Sequence, residues 1–234
     1  MKTFTALLFF SFMIFSTSYA QFGFSTNLGI AVPAGSFYTD ASLADGEQFV
    51  RTGFHQHYNM QYHFIKWLGA SISFSRNRHT FNQQLLEQYL EGQEPRFDWE
   101  VESSNIKSYY LLVGPSFGVD KESYAIFFRP GVGYSFVSSL DINYEVAGLD
   151  ENITARTYDS GSFGFSWGAT LSFVAYLTES IGLNLDARFM NADMYRRVRG
   201  EIYPPDDEPM KFYDEDVIFR PLTFTSSLGL HFKF

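Results

Sequence analysis

The sequence contains no cysteine, comparatively few charged residues and no long apolar segment beyond its N-terminus. Without cysteine the chain can form no disulfide and can offer no thiolate to a metal. Charged residues make up 18% of the chain and its formal net charge is −9, so it lacks the basic surface that nucleic acid as a partner requires. After residue 20, no apolar stretch approaches the length of about 20 residues that a transmembrane helix needs.

The first 20 residues have the three parts of a secretory signal peptide. Lys2 supplies the positive charge, residues 6–15 form an apolar core, and residues 18–20 (Ser-Tyr-Ala) form a small-residue cleavage site. The apolar core is too short to cross a bilayer as a helix. We therefore expect residues 1–20 to be removed on export and residues 21–234 to form one domain.

Aromatic residues are abundant, at 19% of the chain, and they recur at every second position. In residues 50–64, for example, Phe54 and Tyr58 alternate with His55 and His57. Neighbouring side chains of a strand point to opposite faces, so this pattern predicts a strand with one apolar and one polar face. Eight segments are predicted as strands, of which only 105–119 is apolar on both faces: 22–32, 50–64, 68–75, 105–119, 124–136, 163–177, 181–189 and 222–234.

Alternation alone does not decide which face lies inside a barrel. A soluble, lipocalin-like barrel would turn its apolar side chains inward. However, eight strands enclose an interior barely wide enough for side chains, and inward rows of Phe, Tyr and Trp would overfill it. The opposite face carries Gly, Ser, Asn, His and Arg, which suits a tight polar lumen. The pattern therefore favours a membrane barrel with its aromatic face toward lipid.

The connections between the predicted strands alternate strictly between short and long. This alternation is typical of an antiparallel up-and-down barrel with periplasmic turns and extracellular loops, in which both termini lie on the periplasmic side. Closure of the barrel also leaves no strand edge unpaired in lipid. The short connections are 65–67, 120–123 and 178–180, and the long ones are 33–47, 76–104, 138–158 and 190–217.

The C-terminus ends on alternating apolar residues and a final aromatic, with Gly229, Phe232 and Phe234 as its marked positions. This ending resembles the assembly signal of bacterial outer-membrane barrels, although Leu228 stands where many members have a polar residue. With the signal peptide and the loop alternation, the chain resembles the small outer-membrane β-barrel families, namely the porin-like barrels of Bacteroidota and the OmpA- and OmpX-type barrels. The resemblance implies a location in the bacterial outer membrane and the barrel-assembly machinery as a partner during biogenesis.

Charged and imidazole side chains on the predicted inner face are expected to form a structural network in the lumen. Buried charges need partners, and Asp186 is the only obvious acid among these positions. The spacing of His55, His57 and His63 also allows a metal site, since imidazoles bind zinc, copper or nickel. We favour the structural role and predict no metal and no cofactor. The predicted network comprises Arg51, His55, His57, His63, Lys107, Arg129, Asp186, Arg188, His231 and Lys233.

Arginines near the predicted upper rim of the barrel are candidates for binding lipid phosphates. A guanidinium group matches the geometry of phosphate oxygens, and lipopolysaccharide would present such groups. A solvated loop is the alternative role. The candidates are Arg76, Arg78, Arg196, Arg197 and Arg199.

No residue constellation amounts to a catalytic signature. The sequence lacks a Gly-x-Ser-x-Gly elbow, and Ser71, Ser73 and Ser75 are better explained as small fillers of the lumen. We therefore expect a non-enzymatic outer-membrane barrel with an envelope-structural or surface-interaction role. Its expected partners are membrane lipid, lipopolysaccharide and other envelope proteins. The alternatives are a barrel subunit of a larger envelope or secretion complex and a lipid A-modifying enzyme.

Overall fold

The computed structural model describes residues 21–35, 49–93, 98–147, 153–159, 161–203 and 210–234. The predicted signal peptide, residues 1–20, lies outside the described residues. Within them, no helix is both long and apolar enough to cross a membrane. The elements are β1 (Gln21–Gly35), β2 (Gly53–Ile65), β3 (Leu68–His79), α1 (Gln83–Gln93), β4 (Asp98–Ser103), β5 (Ile106–Asp120), β6 (Tyr124–Val137), β7 (Asp141–Ala147), β8 (Ile153–Asp159), β9 (Ser162–Tyr176), β10 (Ile181–Tyr203), β11 (Met210–Phe219) and β12 (Pro221–Lys233).

Eight of the strands close into an antiparallel barrel in the order β1, β2, β3, β5, β6, β9, β10, β12. The ring closes because β12 pairs with β1 on one side and with β10 on the other, so that Leu228 lies opposite both Leu28 and Leu185. Closure gives every barrel strand two neighbours, which is what a sheet in hydrocarbon requires. The predicted transmembrane up-and-down barrel of about eight strands is thereby confirmed.

The aromatic face of the strands points outward. On β9, Phe165, Trp167 and Phe173 are 50%, 44% and 45% exposed, whereas Ser166 and Ser172 are buried in the barrel. The same division continues around the ring, with apolar side chains outside and mostly small or polar side chains inside. An apolar outer band around a polar interior is the arrangement of a membrane barrel, and it excludes the lipocalin-like alternative.

The faces of β5 could not be assigned from its sequence. In the structure Tyr110 and Leu112 are buried in the interior, while Tyr109, Leu111 and Val113 lie on the outside. The interior positions are therefore the even-numbered ones, which places Lys107 on the outer face.

Strands from three of the four long connections extend the barrel's sheet on the extracellular side, and we call this extension the extracellular sheet. Most of the fourth connection, 33–47, lies outside the described residues. β10 runs for 23 residues, and its second half pairs with β8 on one side and β11 on the other. β7 pairs with β8, and β4 pairs with β7, which completes the order β11, β10, β8, β7, β4. The helix α1 packs beside β4, where the backbone N–H of Val101 donates to Glu87 Oε1 at 3.0 Å. Segments predicted as loops therefore contain ordered strands.

Candidate functional sites: the filled lumen and the outer surface

The extracellular mouth of the lumen is closed by apolar side chains. Tyr110, Met190 and Met194 come from the barrel wall, and Phe81 and Leu86 come from the segment that carries α1. All five are buried in one cluster. The prediction of a polar lumen is thus wrong for its upper end, because the extracellular segments fold over the opening and bury their own apolar residues there.

Asp186 lies at the centre of a polar layer halfway down the lumen. Its Oδ2 accepts a hydrogen bond from Asn27 Nδ2 at 2.6 Å and lies 3.0 Å from His57 Nδ1. Its Oδ1 accepts a hydrogen bond from Ser172, which in turn accepts one from Arg129. Arg129 itself approaches Asp186 Oδ1 to 3.9 Å. This layer joins side chains from β1, β2, β6, β9 and β10 across the lumen.

The periplasmic end of the lumen holds aromatic and imidazole rings. Phe127 is buried with its ring centroid 5.3 Å from that of His63 and 5.9 Å from that of His231. Below them, Lys233 Nζ pairs with Asp120 Oδ2 at 2.8 Å. The lumen is therefore occupied at three successive levels, apolar at the top, ionic in the middle and aromatic near the bottom.

The structure brings most of the predicted lumen residues inside and moves two of them out. His55, His57, His63, Arg129, Asp186, Arg188 and His231 are buried, and Lys233 lies at the periplasmic opening. Arg51 instead lies before the start of β2, exposed, and donates a hydrogen bond to Asn82. Lys107 faces outward, because its neighbours Ile106 and Ser108 occupy the interior positions of β5.

The histidines of β2 have separate partners. His55 Nδ1 lies 2.6 Å from Asn77 Oδ1, and His63 Nε2 lies 3.0 Å from Ser116 Oγ. The rings of His55 and His57 are stacked with centroids 6.0 Å apart. In the described parts of the chain, no three His, Asp or Glu side chains converge in a way that could hold a metal ion. The structural role of these rings stays a prediction.

Two of the predicted lipid-phosphate residues lie on the outer face of β3, where they form a patch with Lys107. In register, Arg78 lies opposite Lys107 and Arg76 opposite Tyr109. The Arg76 guanidinium lies 5.9 Å from the centre of the Tyr109 ring. Directly below, Phe74 stacks with Tyr109 at a centroid distance of 6.4 Å. We call Arg76, Arg78 and Lys107 the outer basic patch. Its position just above a row of aromatic rings is that of the lipid headgroups.

The remaining arginine candidates lie in the extracellular sheet. Arg197 makes two hydrogen bonds to Asp214, with Nε–Oδ1 at 2.6 Å and Nη2–Oδ2 at 2.8 Å, and Arg199 Nε lies 3.4 Å from the same carboxylate. The hydrogen bonds from Arg197 hold the pKa of the Asp214 carboxyl below its ordinary value. Both arginines are thus paired with Asp214 within the sheet. The side chain of Arg196 lies outside the described residues.

The three marked residues of the C-terminal strand lie at the closing seam of the barrel. Phe232 stacks on Phe24 of β1 with ring centroids 6.3 Å apart, and Phe234 lies 5.9 Å from Phe22. Gly229 lies opposite Asn27, and a Cβ on it would come within 1.9 Å of the Thr26 carbonyl oxygen. Their role in assembly stays a prediction, but each has a definite place where the first and last strands meet.

Several functional positions were not recognised in the sequence. Asn27 and Asn184 join the central layer, where Asn184 Nδ2 donates to Asn27 Oδ1 at 3.1 Å. Their place on the polar face of β1 and β10 was a usable signal. Pro115 and Pro130 were also not singled out in the sequence, although the pairing between β5 and β6 is interrupted around them. Two strand prolines facing each other could not be recognised without the strand register.

No protein-family model matches the chain, and no curated protein is similar to it in sequence. Among solved structures, the outer membrane protein OprG from Pseudomonas aeruginosa is 14% identical with a TM-score of 0.54, over 92% of this chain and 96% of that one. The attachment invasion locus protein Ail of Yersinia pestis is 15% identical with a TM-score of 0.47, over 92% and 99% of the two chains. The fold is that of the small outer-membrane β-barrels.

The likeness to OprG extends over nearly the whole of both chains. At 14% identity the likeness concerns the fold alone. Fold does not determine function, and the role of this barrel has to be argued from its own lumen and surfaces.

Proposed function

We propose that this protein is a non-enzymatic barrel of the bacterial outer membrane that acts through its outer surfaces and not through its lumen. The observation that carries the proposal is the contrast between a lumen filled at three levels and an ordered sheet standing above the membrane. A filled lumen offers no path for solutes, whereas a stable extracellular sheet offers a surface to partners. The role is therefore envelope-structural or one of surface interaction.

Planar bilayers test the first half of this proposal. The purified barrel should insert without producing single-channel conductance steps, because Met190, Asp186 and Phe127 each belong to a layer that crosses the lumen. A porin reconstituted under the same conditions provides the positive control. Steady, uniform steps from the wild-type protein would contradict the filled lumen.

The hairpin of β7 and β8 allows the surface role to be tested while the pairing of β6 with β9 in the barrel is kept. β6 and β9 pair directly up to Val137 and Ser162, so a short turn can replace residues 138–160. The shortened protein should still fold and reach the outer membrane. In a strain that lacks the wild-type gene, we expect it to fail to restore cell-surface adhesion or aggregation. Full restoration of every deletion phenotype would show that this part of the sheet is dispensable.

The outer basic patch supports lipopolysaccharide as a lipid partner. Among the described residues, no carboxylate pairs with Arg76, Arg78 or Lys107, in contrast to Arg197 and Arg199. Three unneutralised cations at headgroup height are suited to the phosphates of the outer leaflet. The charge of the patch therefore remains available for lipid.

Thermal stability with and without added lipopolysaccharide tests the patch. Lipopolysaccharide should raise the temperature at which the folded gel band of the wild type disappears. The triple variant R76Q/R78Q/K107Q should lose most of that increase. Arg156→Gln is the matched control, because Arg156 lies in the extracellular sheet and is paired with Asp141. An equal increase in all three proteins would refute the patch as the binding site.

The three serines considered as nucleophiles in the sequence, Ser71, Ser73 and Ser75, have partners other than a base. Ser71 donates to the Gly114 carbonyl at 3.4 Å, Ser75 donates to Met190 Sδ at 3.4 Å, and Ser73 accepts from Arg188. None of these serines contacts a histidine that could act as a general base. Lipid A mass spectra should be identical with and without the gene, and a mass change that depends on the gene would establish the enzymatic alternative.

The alternative of a barrel subunit in a larger envelope complex makes a different prediction. A stable complex would run as one high-mass species on native gels after mild detergent extraction. Our proposal predicts that the barrel migrates at the mass of the single chain with its detergent. Co-migration of the barrel with a fixed ratio of another envelope protein would favour the complex.

A further inference from the structure

The central layer of the lumen contains more positive than negative charge. Arg129 and Arg188 are only 5% and 3% exposed, and both lie within the membrane-spanning part of the barrel. Asp186 is the acid of this layer. The second ion pair of the lumen, Lys233 with Asp120, lies at the periplasmic end and is neutral by itself. With neutral histidines, the central layer carries one uncompensated positive charge.

The carboxylate of Asp186 interacts with groups other than Arg188. Asn27 and Ser172 donate to its two oxygens, His57 lies within 3.0 Å, and Arg129 is the cation that approaches it. Arg188 makes its hydrogen bond to Ser73 Oγ at 2.9 Å instead. A buried guanidinium with a neutral partner keeps its full desolvation cost, so a counter-charge nearby would stabilise it.

Both guanidinium groups have N–H donors that are not hydrogen-bonded within the described residues. In the part of the chain that the structure describes, Nε and Nη1 of Arg129 and Nε and Nη1 of Arg188 have no hydrogen-bond partner. The amide nitrogen of Asn59 is in the same position. Buried donors of this kind are normally satisfied, so five of them around one place indicate a ligand that accepts hydrogen bonds.

A small space lies beside these donors. It has a volume of about 10 Å³ and sits where the pairing of β5 with β6 is interrupted, between Val113 and Phe117 on β5. Pro130 has no N–H with which to continue the ladder there. The lining includes Arg129, Arg188 and Asn59 and contains no carboxylate. Its volume corresponds to a single particle about the size of a water molecule.

We propose that this space binds one small monovalent anion of the halide class, with chloride as the physiological occupant, held between Arg129 and Arg188. Its charge would neutralise the central layer, and its capacity to accept several hydrogen bonds matches a lining that offers donors from three side chains. Phosphate, sulfate and lipid headgroups are too large for the space. The site is a structural anion site that stabilises the filled lumen.

Thermal unfolding in two salts tests the site in solution. The protein extracted in detergent is heated in sodium chloride or in sodium gluconate of equal ionic strength, since gluconate is too large to enter. The wild type should unfold at a temperature several degrees higher in chloride, and the effect should saturate with chloride concentration. Equal unfolding temperatures in the two salts would overturn the proposal.

Two variants remove the site in different ways. Arg188→Gln removes the uncompensated charge, and Gly131→Ala fills the space, because the new Cβ would lie 3.2 Å from Leu112 Cβ on the lining. Both should lose the difference between chloride and gluconate. Arg156→Gln in the extracellular sheet should keep it. A difference that persists in both site variants would identify a general salt effect and refute the site.

Crystals grown in bromide locate the anion directly, without a measurement of the unfolding temperature. The anomalous difference map should show a peak within hydrogen-bonding distance of both guanidinium groups in the wild type and no peak in G131A. Water alone at this position in bromide crystals of the wild type would refute the anion site.

Discussion

At the scale of single residues, the lumen depends on how Asp186 is surrounded. The carboxylate is buried and receives donors from β1, β2 and β9. Removal of this carboxylate would leave each of its partners as a buried, unsatisfied polar group. The mutational sensitivity of the lumen should therefore be concentrated at this position.

Asp186→Ala should cost about 3–5 kcal/mol, since it leaves buried guanidinium groups without an acid. The free energy of unfolding can be measured by urea titration in lipid vesicles, with tryptophan fluorescence as the signal. Asp193→Asn is the control, because Asp193 forms an exposed pair with Arg220 at 2.9 Å. Exposed pairs contribute about 0–1 kcal/mol. Equal losses in the two variants would contradict the central role of Asp186.

Gly229→Ala tests the closing seam. A methyl group there would lie 1.9 Å from the Thr26 carbonyl oxygen, so β1 and β12 could not keep their spacing. We expect a large fall in the fraction of protein that runs as a folded band on unheated gels. Gly92→Ala is the matched control, since a Cβ at Gly92 meets nothing within 4 Å and alanine favours helix α1. Normal folding of both variants would refute the steric argument.

At the scale of elements, each barrel strand has one face for lipid and one for the lumen. On β9, Leu171 lies on the lipid side and is paired with Phe128 and Ala187 of the adjacent strands. Its environment is apolar on every outward side. The two halves of β10 have different surroundings. The first half spans the membrane, and the second belongs to the extracellular sheet.

Leu171→Arg should therefore destabilise the barrel by about 2–4 kcal/mol, as expected for arginine near the middle of the bilayer. Tyr195→Arg on the second half of β10 should cost no more than about 1 kcal/mol, since Tyr195 is exposed above the lipid. Urea titration in vesicles provides both values. A similar cost at the two positions would indicate that the membrane boundary on β10 is misplaced.

The pairing of β10 with β11 should weaken in acid. Because the hydrogen bonds from Arg197 lower the pKa of Asp214 in the folded state, its contribution is complete above the ordinary carboxyl pKa of about 3.9. It is then lost as the pH falls through the lower folded value. A carbon-13 NMR titration of Asp214 in micelles should show this lowered pKa.

Arg197→Gln should shift the titration midpoint of Asp214 upward, toward the ordinary value. Arg156→Gln should leave it unchanged, because Arg156 is bonded to Asp141 on the neighbouring strands. An unaltered midpoint in Arg197→Gln would show that the ion pair between β10 and β11 is absent in solution.

At the scale of the whole molecule, the outward apolar band requires a membrane. Exposed aromatic and aliphatic residues surround the barrel on all eight strands, far beyond the apolar patches that soluble monomers tolerate. The protein should therefore stay in the outer-membrane pellet after an alkaline wash. It should also run faster on gels before heating than after, because the closed barrel resists detergent. Recovery as a soluble species without detergent would contradict the fold.

Alternation of residues was enough to predict the eight barrel strands and the direction of most of their faces. Phe165 and Trp167 alternate with Ser166, and successive side chains of a strand lie on opposite faces of the sheet. The same parity placed His55, Asp186 and Arg129 inside. The parity argument is local, so it needs no knowledge of which strands are neighbours.

Only the tertiary structure decided what depends on contacts between distant parts of the chain. Lys107 faces outward because β5, apolar on both sides, takes its orientation from β3 and β6. The connection predicted as a loop contains β7 and β8 because the long β10 provides an edge for β8, and β8 in turn provides one for β7. Asn27 and Asp186 meet across 159 positions only when the barrel closes. Side-chain direction follows from the period of a strand, whereas partners follow from register and closure.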